Sequence, residues 1–176
     1  SDFFALSDFE GNIESETEEE RFIRYRRRAS HMLGAAISFI PLQIGENDDG
    51  VPFVVASRKA AMEKRQEEYF FAPNAPAEVG TIAKASIIST APRYITVECL
   101  GVEATMGTGA LSAFNYIEDA SDVYEPGEGI MVAIEKLNVD KENKKIDISF
   151  SHSALERESV LSERVNDNMI KGRYDG

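Results

Sequence analysis

The stretch VGTIAKASIISTAPRYITVECLGVEA, residues Val79–Ala104, decides the fold that the sequence predicts. Two runs within it, Thr81–Ile88 and Tyr94–Leu100, are rich in β-branched residues and are separated by turn residues. In the second run apolar and polar residues alternate, which places one set in a core and the other toward solvent. The inward set is Ile95, Val97 and Cys99, and the outward set is Tyr94, Thr96 and Glu98. The stretch therefore predicts two strands that meet at a corner formed by Arg93 and Tyr94.

Two further strand-like runs follow, at Gly129–Asn138 and Lys145–Phe150. Residues 107–129 lie between the second and third runs and predict a loop with one helical turn. Short strands at this spacing, separated by turn residues, predict a small closed antiparallel barrel. Beyond the barrel, a partly amphipathic helix with a polar end is predicted from the apolar residues Leu155, Val160 and Leu161.

A hairpin and a helix are predicted upstream of the barrel. The strand-like runs Ala35–Ile44 and Pro52–Ala56 flank the sequence GENDDG, whose glycines, asparagine and aspartates favour a tight turn. Ser57 is placed to cap a helix that follows, because the next residues are strong helix formers. The segment FAPNAPAEVG, with two prolines, then predicts a linker.

The first part of the chain predicts another helix, which Thr17 caps and whose first turn contains Glu18–Glu20. An apolar patch precedes it at Phe3, Phe4, Leu6 and Phe9, and the residues expected to face a core are Phe22, Ile23 and Tyr25. The most basic patch of the chain follows at Arg24, Arg26, Arg27 and Arg28. These arginines could meet phosphate, but such a run is more often a solvated helix face, here with Glu20 placed to pair with Arg24.

Composition narrows the possible functions. The 176 residues are 43% hydrophobic, which is enough for a folded core, and the formal net charge is −12. This charge repels nucleic acid at long range and argues against strong non-specific binding, so any RNA contact must be local. The single cysteine cannot form an internal disulfide, and no apolar run is long enough to span a bilayer. We therefore expect a cytoplasmic protein with no membrane partner.

Catalytic motifs are not found. The two histidines and one cysteine do not form a metal-binding spacing, so neither a metal nor a cofactor is predicted. The glycine-rich sequences GTGA and GEG lack the lysine of a phosphate-binding loop. Cys99 falls on the inward face of its strand, which favours a buried small side chain over a nucleophile. The sequence therefore gives no reason to expect an enzyme.

The barrel region resembles the S1 RNA-binding domain family, an OB-fold module that occurs in ribosomal protein S1. The resemblance rests on the opening VGTIAKASI, on VECLGVEA followed by Leu111 and Ser112, on VYEPGEGIMVAIEKLNVDKENKKIDISFS and on the helical ALE after it. These matches occur in the family's order and spacing from Val79 to about Glu156. The fold class implied is mainly β with accessory helices and a five-stranded OB-fold barrel of the S1 type.

A second, partial resemblance lies upstream. The sequence GAAISFIPLQIGENDDGVPFVVASRKAAMEKR is similar to the last two strands and the trailing helix of another S1 domain, and an unrelated hairpin packed against the barrel is the alternative. The expected organisation has four parts: a partial or divergent S1-like region at 1–72, a linker at 73–78, the S1-type domain at 79–156, and a C-terminal helix and tail at 157–176.

The resemblance also implies binding residues. The family's two aromatic positions, its histidine, its turn aspartate and its basic residue fall here on Arg93, Thr96, Gly107, Asp140 and Lys145, and three of these five depart from the pattern. Arg93 could stack on a base or pair with phosphate, or be an exposed turn arginine, and Tyr94 could stack or cover a barrel edge. Asp140 is expected mainly to close its turn. The candidate RNA-binding residues are Lys84, Arg93, Tyr94, Thr96, Asp140, Lys144 and Lys145.

Two functions remain open at this point. The first, implied by the resemblance, is non-catalytic and weak binding of single-stranded, mRNA-like RNA in translation, with ribosomal proteins as further partners. The second is a protein-interaction module that has kept the barrel, has lost RNA binding, and docks on a ribosomal or other protein through its acidic surface. The net charge and the missing aromatic and histidine side chains favour the second function.

Overall fold

A computed structural model describes residues 17–171, with side chains through residue 162. The predicted apolar patch of Phe3, Phe4, Leu6 and Phe9 lies outside the described residues, as does the end of the C-terminal tail. The described helices and strands are α1 Glu18–His31, β1 Ile40–Glu46, β2 Pro52–Ser57, α2 Arg58–Gln66, β3 Ile82–Ala91, β4 Tyr94–Cys99, β5 Val102–Gly107, α3 Thr108–Leu111, β6 Gly129–Asp140, β7 Lys145–Ser151 and α4 Ser153–Lys171. A π turn, Glu67–Phe71, extends α2.

The main sheet has five antiparallel strands in the order β5, β4, β3, β6, β7. The first half of β3 pairs with β6 and its second half pairs with β4, so the sheet bends around this long strand. The outermost strands, β5 and β7, also contact each other, and the sheet is a nearly closed barrel. The prediction of a mainly β chain with a five-stranded barrel of the OB type is confirmed.

The barrel interior is filled by branched and sulfur-containing side chains. Ile87, Ile95, Val97 and Met106 are at most 1% exposed, and Leu111 of α3 closes one side of the same cluster. The predicted alternation in β4 is confirmed for Ile95, Val97 and Cys99. Burial raises the pKa of the Cys99 thiol to about 11, so this side chain is a core residue and a poor nucleophile at neutral pH.

The sequence placed some strand limits wrongly. Residues 102–107 form a strand of their own, although they were not recognised as a separate run. The first strand of the hairpin begins at Ile40, not at Ala35. The pairing of β1 with β2 starts at Ile40, which lies opposite Ser57. The apolar residues before Ile40 have the composition of a strand but do not pair with β2.

Both predicted helix caps are present. The Thr17 hydroxyl accepts a hydrogen bond from the N–H of Glu20, whose carboxylate bonds back to Thr17, and the Ser57 hydroxyl accepts one from the N–H of Ala60. Tyr25 is buried as expected. The same expectation for Phe22 and Ile23 is wrong, because each is 59% exposed. The helix meets the barrel through its C-terminal half, and these two residues lie in its first turns.

A charged side chain joins the loop after α3 to α4. The N–H of Ala113 donates to Glu156 over 2.6 Å and the Ser112 hydroxyl donates over 3.0 Å. The bond from Ala113, followed by that from Ser112 and the nearby His152, holds the pKa of Glu156 below its ordinary value of 4.5. A lowered pKa in the folded state stabilises the fold at neutral pH.

Stability should therefore decrease with acid partly through Glu156. A carboxyl group whose pKa is lowered on folding contributes above its unfolded-state pKa and loses that contribution as the pH falls through the folded-state value. We expect Glu156→Gln to be less stable than the wild type at neutral pH, and the difference to shrink below about pH 4. Urea unfolding at neutral pH and at about pH 3 measures this. Glu158→Gln, in an exposed position of the same helix, is the control. A difference that does not change with pH would contradict the assignment.

Candidate nucleic-acid interface

The outer face of β4 and β5 divides into two halves. Next to the β3–β4 turn, Tyr94 lies opposite Gly107 and Thr96 lies opposite Thr105, so this half carries one ring and two hydroxyl groups. At the other end Glu98 lies opposite Glu103. Like charges directly opposite each other on neighbouring strands destabilise a sheet unless cations compensate them.

Arginines from both N-terminal helices neutralise the acidic half. Arg58, at the start of α2, lies 2.5 Å from Glu98 and 2.7 Å from Glu103, and its side chain is only 5% exposed. Arg28 of α1 reaches Glu103 at 2.7 Å. The prediction that Glu98 is solvent-exposed is therefore wrong: Glu98 is 7% exposed because α2 covers it. The ion pairs hold α1 and α2 against this side of the barrel.

A groove of about 470 Å³ lies between α1 and the other half of this face. From the barrel it is lined by residues of β3 and β4, which include Tyr94 and Thr96, and by Glu103 of β5. From α1 it is lined by Arg24, Arg27, Arg28 and His31. Tyr94 lines the groove and is 45% exposed, so it is accessible to a ligand. An aromatic ring and several guanidinium groups therefore line one concave surface, which we call the α1 groove.

Charge and geometry determine what the α1 groove can hold. Arg27 is exposed, and Arg28 keeps 43% of its side-chain exposure while it pairs with Glu103. The Arg24 guanidinium lies 5.0 Å from the centre of the Tyr25 ring. Guanidinium groups bind phosphate through fixed pairs of N–H donors, and an open tyrosine ring can stack on a flat partner. The groove thus combines donors for an anion with a surface for a planar group.

The predicted site residues do not lie together. Tyr94 and Thr96 line the α1 groove, and Arg93 lies beside it in the exposed β3–β4 turn. Lys84, on β3, lines a different depression, together with Arg65 and Ser86. The sequence placed Lys84 on the same face as the turn, but the bend of β3 directs it to another side of the barrel.

Three further candidates lie in the turn between β6 and β7. Asp140 accepts hydrogen bonds from the N–H groups of Glu142 and Asn143 and from the Asn143 side chain, which lower its pKa. It closes the turn, as expected. Lys144 contacts Glu67 at 2.6 Å and lies 5.2 Å from the Phe71 ring, whereas Lys145 is exposed.

This turn lies far from the α1 groove. Ala133 pairs with the start of β3, at Ile82, and Asp140 is seven residues farther along β6. The β6–β7 turn therefore extends past the beginning of β3, whereas the groove lies at the end of that strand. Asp140, Lys144 and Lys145 belong to the opposite end of the barrel.

Sequence reasoning did not place the α1 arginines in the site. It noted them as a basic patch but interpreted them as a solvated helix face. Their spacing contained a signal, because residues three and four apart share a helix face. The positions Arg24, Arg27, Arg28 and His31 follow that spacing and form the wall of the groove. Which surface this wall faces depends on long-range packing.

Neither a metal site nor a membrane-spanning helix is present among the described residues. Among residues 17–162, whose side chains the structure describes, no group of three or more histidine, cysteine, aspartate or glutamate side chains is arranged to hold a metal ion. No described helix is long and apolar enough to cross a membrane.

Comparisons with known proteins give a similarity to solved structures but no sequence family. No protein-family model matches the sequence, and no curated protein matches it. Among solved structures, the chain is similar to a chain in the crystal structure of an a/eIF2alpha-aDim2p-rRNA complex from Pyrococcus horikoshii OT3. The two share 20% sequence identity with a TM-score of 0.35, over 49% of this chain and 52% of that chain. This chain thus spans about half the length of that neighbour.

Proposed function

We propose that the chain is a non-catalytic RNA-binding protein that holds a short single-stranded segment in the α1 groove. The observation that carries the proposal is the half-exposed ring of Tyr94 directly opposite the basic face of α1. Stacking of a base on an aromatic side chain contributes about 1–3 kcal/mol, and arginines beside it can bind the neighbouring phosphates. The resemblance of residues 79–156 to S1 domains supports the same function in the cytoplasm.

Binding should be weak and local. The net charge of −12 opposes long-range attraction of a polyanion. The α1 groove brings Arg27 and Arg28 to the same concave surface as the Tyr94 ring. Glu103 also lines the groove, but it is paired with Arg28 and Arg58, so Arg27 is the exposed cation that can meet phosphate.

The groove predicts the outcome of an RNA titration. Tyr94→Ala combined with Arg27→Gln should weaken binding to a labelled oligouridine of about 12 nucleotides by roughly 10- to 100-fold. The loss of one phosphate contact should also reduce the slope of log affinity against log salt by about 0.7. Fluorescence anisotropy at about 50 and about 200 mM salt measures both quantities.

A matched control tests the position of the site. Tyr116→Ala with Arg157→Gln removes the same two side-chain types from exposed positions outside the groove, and binding should be unchanged. Arg93→Ala tests the position implied by the family resemblance. No measurable binding at the lower salt concentration would overturn the proposal in favour of a protein-interaction module. Equal losses in the two double variants would show that RNA does not bind in the α1 groove.

A further inference from the structure

Two cations share a depression on the outer side of the barrel that is separate from the α1 groove. Arg65 of α2 and Lys84 of β3 both line this depression, which has a volume of about 370 Å³. Another wall is formed by residues 36–38, and the Ser86 hydroxyl donates a hydrogen bond of 3.2 Å to the Ala36 carbonyl oxygen. We call this site the β3 depression. None of its lining residues lines the α1 groove.

Neither cation has an acidic partner in the described part of the chain. Among residues 17–162, no carboxylate forms an ion pair with the Arg65 guanidinium or with the Lys84 ammonium. The chain has 31 acidic residues against 19 lysines and arginines, so acidic partners are plentiful in its sequence. Like charges on one concave surface repel each other, and an anion bound between them replaces this repulsion by attraction.

The carboxylate that lines the β3 depression, Glu98, is already neutralised. It lies 2.5 Å from Arg58, and the neighbouring carboxylate of Glu103 pairs with both Arg58 and Arg28. Two guanidinium groups therefore balance two carboxylates in that cluster. The two cations of the β3 depression are not needed for this balance, so the depression has an excess of positive charge.

Both cations are positioned by contacts with glycines. A Cβ atom at Gly129 would overlap the Cε of Lys84 and would lie 3.2 Å from its Nζ, so the lysine side chain lies directly over the backbone of Gly129. The first part of the Arg65 side chain packs against the β4–β5 turn, where a Cβ atom at Gly101 would lie 2.7 Å from the Arg65 Cβ. The β3 depression therefore has a defined shape as well as a positive charge.

We propose that the β3 depression binds a phosphate group through Arg65 and Lys84. A guanidinium presents fixed pairs of N–H donors that match phosphate oxygens, and an ammonium adds a compact positive charge. The two groups come from α2 and from β3, so the site is complete only when α2 is docked on the barrel. The phosphate is either a free ion or part of an RNA strand, and the site does not depend on RNA binding in the α1 groove.

Inorganic phosphate is the direct probe of this site. Titration of the isotope-labelled 176-residue chain at constant ionic strength, with chloride as the balancing anion, should shift the amide NMR signals of Ser86 and Gly129 saturably. We expect a Kd in about the millimolar range. Arg65→Gln combined with Lys84→Gln should weaken phosphate binding by at least about tenfold, because both charged donors are lost.

A glycine variant tests the position of the lysine without a change of charge. Gly129→Ala keeps both cations, but its Cβ atom displaces the Lys84 side chain from its place over the backbone. Phosphate binding should weaken by roughly three- to tenfold. Circular dichroism shows whether this variant is folded.

A matched control tests whether any loss of charge has the same effect. Lys64→Gln combined with Lys136→Gln removes two positive charges from exposed positions outside the β3 depression and should leave phosphate binding unchanged. The proposal is overturned if the wild type shows no saturable shift, if the two double variants lose affinity equally, or if folded Gly129→Ala binds phosphate as the wild type does.

Oligouridine binding distinguishes the two sources of the phosphate. If an RNA strand supplies it, Arg65→Gln with Lys84→Gln should also weaken oligouridine binding in fluorescence anisotropy. If the ligand is a free ion, that variant should bind oligouridine as the wild type does. Tyr94→Ala with Arg27→Gln changes only the α1 groove and should leave the binding of inorganic phosphate unchanged, so a failure of the RNA proposal is distinguishable from a failure of this one.

Discussion

Replacement of Arg58 by methionine is expected to lower the free energy of unfolding by about 3–5 kcal/mol. Arg58 is buried between Glu98 and Glu103, which lie opposite each other on adjacent strands. Without the guanidinium, Glu98 would remain buried without this cation and beside a like charge, which costs more than a simple loss of contact. Urea unfolding followed by circular dichroism measures the change.

Two further variants show whether the loss of stability arises because the carboxylates of Glu98 and Glu103 lose their cation. Lys59→Met changes a neighbouring exposed cation and should have an effect of less than about 0.5 kcal/mol. In Arg58→Met combined with Glu98→Leu and Glu103→Leu, the charges are removed together, and most of the stability should return. A triple variant as unstable as Arg58→Met would show that Arg58 acts through its packing.

Gly101→Ala is expected to destabilise the chain by roughly 3 kcal/mol, the second-largest effect. Gly101 has a φ of +81° in the β4–β5 turn, a conformation that costs energy for alanine. A Cβ atom there would also lie 2.5 Å from the carbonyl oxygen of Met62 and 2.7 Å from the Cβ of Arg65. Either the turn or α2 must move, and the 2.7 Å hydrogen bond from the Gln66 side chain to the Gly101 carbonyl would weaken.

A second glycine separates backbone strain from the clash with α2. Gly80 has a φ of +91°, and a Cβ atom there would have no neighbour within 4 Å. Gly80→Ala should therefore cost only the strain of its conformation, about 1 kcal/mol. Thermal unfolding of both variants measures the difference. If the two variants have equal stability, the contact between α2 and the turn is unimportant.

Local sequence patterns predicted the barrel well. Ile95, Val97 and Cys99 alternate with polar residues because successive side chains of a strand point to opposite faces of the sheet. This pattern is expected in any strand that has one face buried. Turn and cap chemistry at Ser57 and Asp140 is likewise local, because each side chain bonds to backbone two or three residues away. These features depend only on residues close together in the sequence, so they can be predicted from the sequence alone.

The candidate site depended on contacts that local patterns do not contain. Glu98 was expected to be exposed to water because it alternates with the inward-facing residues of β4. Helix α2 covers it instead, through Arg58, which lies 40 residues earlier in the sequence. The α1 arginines and Tyr94 are about 70 residues apart, so their position on the same groove follows only from the docking of α1. Lys84 was placed on the wrong side because the bend of β3 is a property of the whole sheet.

The ion pairs between the helices and the barrel also determine the order in which the molecule assembles. Arg28 and Glu103 are 75 residues apart, and Arg58 and Glu98 are 40 apart, whereas most strand pairs of the barrel join neighbouring segments. During synthesis α1 and α2 emerge first, yet they acquire their partners only when β4 and β5 have been made. The surface of β4 and β5 is therefore the template on which α1 and α2 dock, and the α1 groove forms only after that surface exists.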